Sequence, residues 1–203
     1  MPRRRQLTWL LTALLLLCAP LLAQVTPLDA HAAADAAYAE AQQLFQQKTP
    51  ESLHQAISKG EEALRLYRLA GDRDKEAELL AGIGFTYLTL GDRTQAESYL
   101  AQALPILQAL HKPGEQGILL SILGSTYEAA KDPGKAFDYY QRALPFFRSA
   151  ADKKGEATAL TGMGRTAFAR NDKRQALDFF SQALPLWRSL GDRAIPRAVL
   201  TIT

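Results

Sequence analysis

Cysteine is nearly missing from these 203 residues. The one cysteine, Cys18, lies within an N-terminal apolar run, so a chain shortened by that run has neither a disulfide nor a free thiol and depends on packing for its stability. Histidine is also scarce. His31, His54 and His111 are scattered, without the spacing of metal ligands and without a Cys or Ser placed for nucleophilic catalysis, which leaves no candidate catalytic residue, metal site or cofactor site. An excess of charge is lacking as well. The 24 Lys and Arg outnumber the 21 Asp and Glu only through Arg3, Arg4 and Arg5, and the remaining chain is balanced. That balance argues against a nucleic acid partner or an anionic membrane surface. The segments "AGIG" from residue 81 and "TGMG" from residue 161 fall inside helical patterns instead of following strands, so they are not phosphate-binding loops.

What the chain does have is a leader and a repeat. The start, "MPRRRQLTWLLTALLLLCAPLLAQ", is a basic stretch followed by an apolar run, the layout of a secretory signal over residues 1–23. The expected location is therefore exported, periplasmic or extracellular. The alternative is a chain held at the membrane by this segment uncleaved, since the run is close to the spanning minimum of roughly 17 residues.

From residue 71 onward the sequence repeats every 40 residues, as Pro105, Pro145 and Pro185 mark. The blocks are 71–110, 111–150 and 151–190, with an incomplete unit at 191–203 and an atypical N-terminal capping pair at 29–70. Each block holds two segments of helical periodicity around a polar turn ("TLGDRT", "AAKDPG", "ARNDKR"), which predicts a helical hairpin. Asp92 with Gln95 and Asp172 with Gln175 have capping-box spacing, and Asp132 precedes Pro133. Gly71, Gly91 and Gly191 stand where a helix would end in a left-handed residue. In the capping pair the stretch "KTPES" reads as a longer turn that takes up two or three extra residues.

Within the blocks Gly84, Gly124 and Gly164 share one position, as do Ala96, Ala136 and Ala176, then Leu100, Tyr140 and Phe180, then Ala103, Ala143 and Ala183. Small residues there let two helix backbones approach, and the bulky position fills the space between the alanines. The prolines lie inside the second helix, where proline ordinarily costs about 3 kcal/mol. The stripe Ala136, Tyr140, Ala143, Phe147 passes Pro145 without a change of phase. The helix is therefore expected to continue, with the proline on its outer side and water reaching the freed carbonyl of Ala101, Gln141 or Ser181.

With Tyr87 and Tyr127 three residues after their glycines, this order of glycine, aromatic, alanine, bulky residue and alanine resembles the tetratricopeptide repeat (TPR) family. The resemblance departs from the usual repeat of about 34 residues. Gln108, Arg148 and Arg188 occupy the family's terminal proline position, and Ala167 replaces a tyrosine. The longer unit is similar to the 40-residue variety in spindle-orientation adaptors and in bacterial arrays that precede CHAT domains. The resemblance implies an all-α, right-handed α-solenoid of antiparallel hairpins, non-catalytic, that scaffolds protein–protein contacts through a concave groove lined by first helices. By position the groove residues are Ala81, Phe85 and Leu88, then Ser121, Ser125 and Glu128, then Thr161, Arg165 and Phe168. The family's clamp for a terminal carboxylate is not matched. The partner expected is a protein or peptide.

The alternative is that the chain forms the N-terminal sensory or regulatory part of a larger enzyme, such as a CHAT-type peptidase. In the incomplete unit Pro196 falls where the blocks have Glu76, Gln116 and Glu156, so its helix should be short. Further chain or a partner is expected over Val199 and Ile202. Intact-mass measurement on protein recovered outside the cytoplasm should find residues 1–23 removed. A soluble cytoplasmic product that keeps Met1 or Pro2 would exclude export.

Overall fold

The computed structural model describes residues 27–191. The leader at 1–23 and the incomplete unit after Gly191, with Val199 and Ile202, lie outside the described residues. Those described form eight α-helices and no strand: α1 (Pro27–Gln47), α2 (Pro50–Ala70), α3 (Arg73–Leu90), α4 (Arg93–Ala109), α5 (Pro113–Ala129), α6 (Pro133–Ser149), α7 (Lys153–Ala169) and α8 (Lys173–Ser189). They pair as α1·α2, α3·α4, α5·α6 and α7·α8, and successive hairpins stack into a helical solenoid, the expected fold class.

The turns carry one device throughout. In the six turns from α2 to α8 a single residue takes the left-handed conformation: Gly71, Gly91, His111, Lys131, Ala151 and Asn171, with φ between 54° and 84°. The residue after it donates its backbone N–H five residues back, to Tyr67, Tyr87, Leu107, Tyr127, Phe147 and Ala167, at 2.9–3.0 Å. This is a Schellman closure. That same donor residue is the N-cap of the next helix. Asp72, Asp92, Asp132, Asp152 and Asp172 each accept, through the side chain, a backbone N–H three residues on. At α5 the N-cap is Lys112, without such a bond, and Pro113 opens the helix instead. Each aspartate cap contributes about 1 kcal/mol.

The capping boxes read at Asp92–Gln95 and Asp172–Gln175 form only their forward half, at 3.0 Å each. The reciprocal pair forms at Thr49 and Ser52. "KTPES" is not a longer turn. Only Lys48 and Thr49 lie between the helices, and the extra residues lengthen α1 and α2 to 21 residues each, because Pro50 at the first turn supplies a helical φ.

Helices α4, α6 and α8 run unbroken past Pro105, Pro145 and Pro185, and all three prolines are exposed. Ala101, Gln141 and Ser181, whose carbonyls lose a donor, are exposed too. The freed carbonyls therefore lie where water can reach them.

Inside the hairpins, Ala96, Ala103, Ala136, Ala143, Ala176 and Ala183 are all 0% exposed. A Cβ added at Gly84 would lie 2.8 Å from Leu100, at Gly124 2.9 Å from Tyr140, and at Gly164 2.7 Å from Phe180. The middle seam is tighter. Tyr140 is held between Gly124 of α5 and Gly162 of α7, where a Cβ would come within 2.5 Å of its ring. Phe147 is likewise held between Gly117 and Gly155. The first block has Leu100 and Leu107 at these two positions.

Hydrogen bonds tie one hairpin to the next. Tyr99 of α4 donates to Glu61 of α2. Glu97 of α4 accepts from both Tyr127 and Tyr139, whose rings stack 5.5 Å apart, and these bonds hold its carboxyl below the usual range. Arg68 reaches across a turn to Glu76, and Arg148 makes the same contact with Glu156, each at 2.7 Å. The corresponding pair between them is Gln108 and Gln116. Glu76 is 3% exposed and also pairs with Arg73, so its charge is offset where water cannot reach it.

Gly162→Ala should destabilise the chain by about 1–2 kcal/mol in chemical denaturation, because overpacking of roughly 1–3 kcal/mol exceeds the helix-propensity gain of about 1. The penalty should vanish in a Tyr140→Leu background. By contrast, Ala151→Gly should stabilise by about 1 kcal/mol, since alanine there sits at φ 54°.

Candidate functional site

The first helices α1, α3, α5 and α7 form one face of the array. On α3 the exposed line is Glu78, Gly82, Phe85 and Thr89, and on α5 it is Ile118, Ser125 and Ala129. On α7 it is Thr158, Arg165 and Ala169. The expected groove residues divide accordingly. Phe85 and Phe168 are open to solvent, at 47% and 56% exposure. Ser125 is exposed, with its hydroxyl donating to the Ile122 carbonyl at 2.9 Å. Ala81 and Leu88 are half-buried, packing on the core with part of their surface open, and the exposed line beside them is 78–82–85–89. Ser121 has its hydroxyl oxygen buried with no hydrogen-bond partner among the described residues.

Thr161 does not face the groove. It is 1% exposed, donates to the Ala157 carbonyl at 2.7 Å and accepts from the Trp187 indole N–H at 3.0 Å. Trp187 from α8 needs an acceptor in the core, and Thr161 supplies it.

Glu128 and Arg165 are brought together. The guanidinium donates to both carboxylate oxygens, at 2.6 and 2.8 Å, and the Tyr140 hydroxyl donates to the same carboxylate at 3.0 Å. The bond to Glu128 raises the Arg165 pKa further. Burial, and then the Glu128 charge, push the Tyr140 phenol well above its ordinary value. This bidentate pair clamps α5 to α7 and closes that part of the face.

The open part lies at the other end. Between α1 and α3, over α2, runs a trough of about 610 Å³. Ala56 and Gly60 of α2 contribute to its floor, with Leu79 and Ile83 beside them. One end is bounded by Phe45 and Phe85, whose ring centroids are 6.0 Å apart. At the other end Tyr38 donates to Glu78 at 2.8 Å. A Cβ at Gly82 would touch nothing within 4 Å, so the α3 wall is low there. Among the described residues, no ionisable side chain other than the Tyr38 phenol lines it; Gln42, Gln43 and Gln46 supply uncharged amides.

Sequence reasoning drew the face from α3, α5 and α7 and treated α1 as a cap, so it missed Tyr38, Gln42 and Phe45. Tyr38 and Phe45, seven residues apart on one helix face, were the available signal.

His31 has a structural place. Its ring meets Tyr67 edge-on at 5.5 Å and lies between Asp35, at 3.7 Å, and Asp72, at 3.5 Å, tying α1 to the start of α3. Among the described residues, no three His, Cys, Asp or Glu side chains cluster to hold a metal ion, and no helix is long and apolar enough to cross a membrane. A second depression of about 510 Å³, between α2 and α4, differs in kind, with Glu61, Arg65 and Arg68 in its lining.

Comparison with known proteins places the fold. No protein of curated function matches the chain. Among solved structures, it is similar to aspartyl phosphate phosphatase F from Bacillus subtilis, with TM-score 0.70, 17% identity, and coverage of 93% of this chain and 48% of that one. It is also similar to nearly identical TPR-like repeats of a kinesin light chain from Podosopora anserina, with TM-score 0.62, 10% identity, and coverage of 83% and 82%. A third is a signal transduction ATPase with numerous domains and a tetratricopeptide repeat sensor from Pyrococcus horikoshii, with TM-score 0.62, 20% identity, and coverage of 77% and 25%. The chain thus spans about half the length of the phosphatase and a quarter of the ATPase. At these identities the likeness speaks to fold. The family model described as tetratricopeptide repeat, however, matches residues 51–109 and 115–189, most of the chain, and the chain belongs to the tetratricopeptide repeat family.

Proposed function

We propose that the chain is an exported, non-catalytic scaffold that holds a protein or peptide partner on the face formed by its first helices. The observation that carries this reading is the trough between α1 and α3. A solenoid that served only as a spacer would have no use for an uncharged, largely apolar recess with Phe85 47% exposed at its rim. Family membership supports an interaction role, since TPR arrays generally scaffold protein contacts. Export rests on the basic and apolar leader at residues 1–23.

A second reading treats the array as the sensory or regulatory part of a longer enzyme, a CHAT-type peptidase among the possibilities. Its support is the likeness to an ATPase whose repeats are described as a sensor and of which this chain spans 25%. Sequencing the gene past the codon for Thr203 separates the two: further repeats favour the scaffold, and a His/Cys catalytic domain favours the enzyme.

Immobilised full chain should recover a protein partner from the exported fraction of its host. Phe85→Asp should reduce that recovery at least tenfold and leave the helical circular dichroism unchanged, because the ring is half in solvent. Equal recovery by both forms would remove the groove reading.

A further inference from the structure

We infer that the partner is anchored in the α1–α3 trough by an uncharged stretch of polypeptide that inserts aliphatic or aromatic side chains. The inference rests on the scaffold reading above and names what the scaffold recognises. The trough is bounded along α1 by Tyr38 and Phe45, which are seven residues apart, so its length is about 10 Å at 1.5 Å per residue. Its volume of about 610 Å³ falls within the range of roughly 300–1,000 Å³ typical of ligand sites. That length takes two side chains seven positions apart on one face of a partner helix.

The charge around the recess selects the occupant. The groups nearest its end are spent: Glu78 accepts from Tyr38 at 2.8 Å and from the Lys75 ammonium at 2.9 Å, and that ammonium also sits 5.6 Å from the Tyr38 ring centroid. The Thr86 hydroxyl is committed to the Gly82 carbonyl at 2.9 Å. A partner carboxylate or ammonium entering the trough would lose its water and meet no counter-charge, which is unfavourable. An apolar side chain meets Phe45, Phe85, Leu79 and Ile83, and the exposed amides of Gln42 and Gln46 can pair with the partner's backbone. At the later first-helix seams the place left open by Gly82 is filled. Ile122 stands at the position of Gly82, and at the next one Gly162 is covered by Tyr140.

The test selects a random 16-residue peptide library on the purified full chain and measures the selected peptides by fluorescence anisotropy. Wild type is compared with Gly82→Leu, which fills the trough at a helical position with open space, and with Ser125→Leu, which alters the same face outside it. The expected result is enrichment of Leu, Ile, Phe and Met with depletion of charged residues at two fixed positions. Gly82→Leu should weaken binding at least tenfold with a melting temperature equal to or above wild type. Selection of acidic or basic anchors overturns the inference, as does binding that survives Gly82→Leu. If Ser125→Leu abolishes that surviving binding, the groove reading stands and the anchor alone fails. Peptides insensitive to both substitutions, or no peptide selected while Nile red is bound, overturn the groove reading as well.

Discussion

Close approach of helix backbones is the constraint on which the rest of this array depends. Each of the three hairpins after the first puts a glycine of its first helix directly against the bulky residue of its second: Gly84 on Leu100, Gly124 on Tyr140, Gly164 on Phe180. Fully buried alanines on either side of that residue hold the helices near each other. The middle seam extends the arrangement across hairpins, since Tyr140 and Phe147 each lie between glycines of two different first helices. An interior packed to this density cannot admit even a methyl group without moving a ring. That density also explains how 165 described residues without a disulfide hold a series of packed core clusters along the array.

Uniform turns make that packing repeatable. A Schellman closure followed at once by an N-cap leaves two or three residues between helices and satisfies orphan groups on both sides. The geometry is the same whether the left-handed residue is Gly71 or Ala151. Packing on both sides fixes the turn and imposes backbone strain where the residue is not glycine. The prolines are tolerated for the complementary reason. They sit on the exposed side of α4, α6 and α8, where water can reach the freed carbonyl and the buried stripe is untouched.

The functional face follows from where packing is relaxed. Near the C-terminal end, Glu128, Arg165 and Tyr140 clamp α5 to α7. Between α1 and α3 no such clamp spans the middle, and Ala56, Gly60 and Gly82 are too small to fill the space. One face thus has a closed, charge-paired end and an open, uncharged end.

Spacing in the sequence was enough to determine the hairpins, the solenoid and the inward and outward sides of each second helix. Helical period and block period are local properties, and Gly124, Ala136, Tyr140 and Pro145 each carry their own side with them. The register of the first helices was another matter. Ala81 and Leu88, expected on the groove, are half-buried against the core, and Thr161, expected there, bonds Trp187 inside it. First helices are apolar on several sides because they touch their own hairpin and both neighbours. Their hydrophobic pattern therefore does not single out the solvent face. The pairing of Glu128 with Arg165, the bonds from Tyr127 and Tyr139 to Glu97, and the trough between α1 and α3 join residues from different hairpins. Only the angle and distance at which hairpins stack could bring those residues together or leave a space between them, and that stacking is decided by the whole set of buried contacts at once.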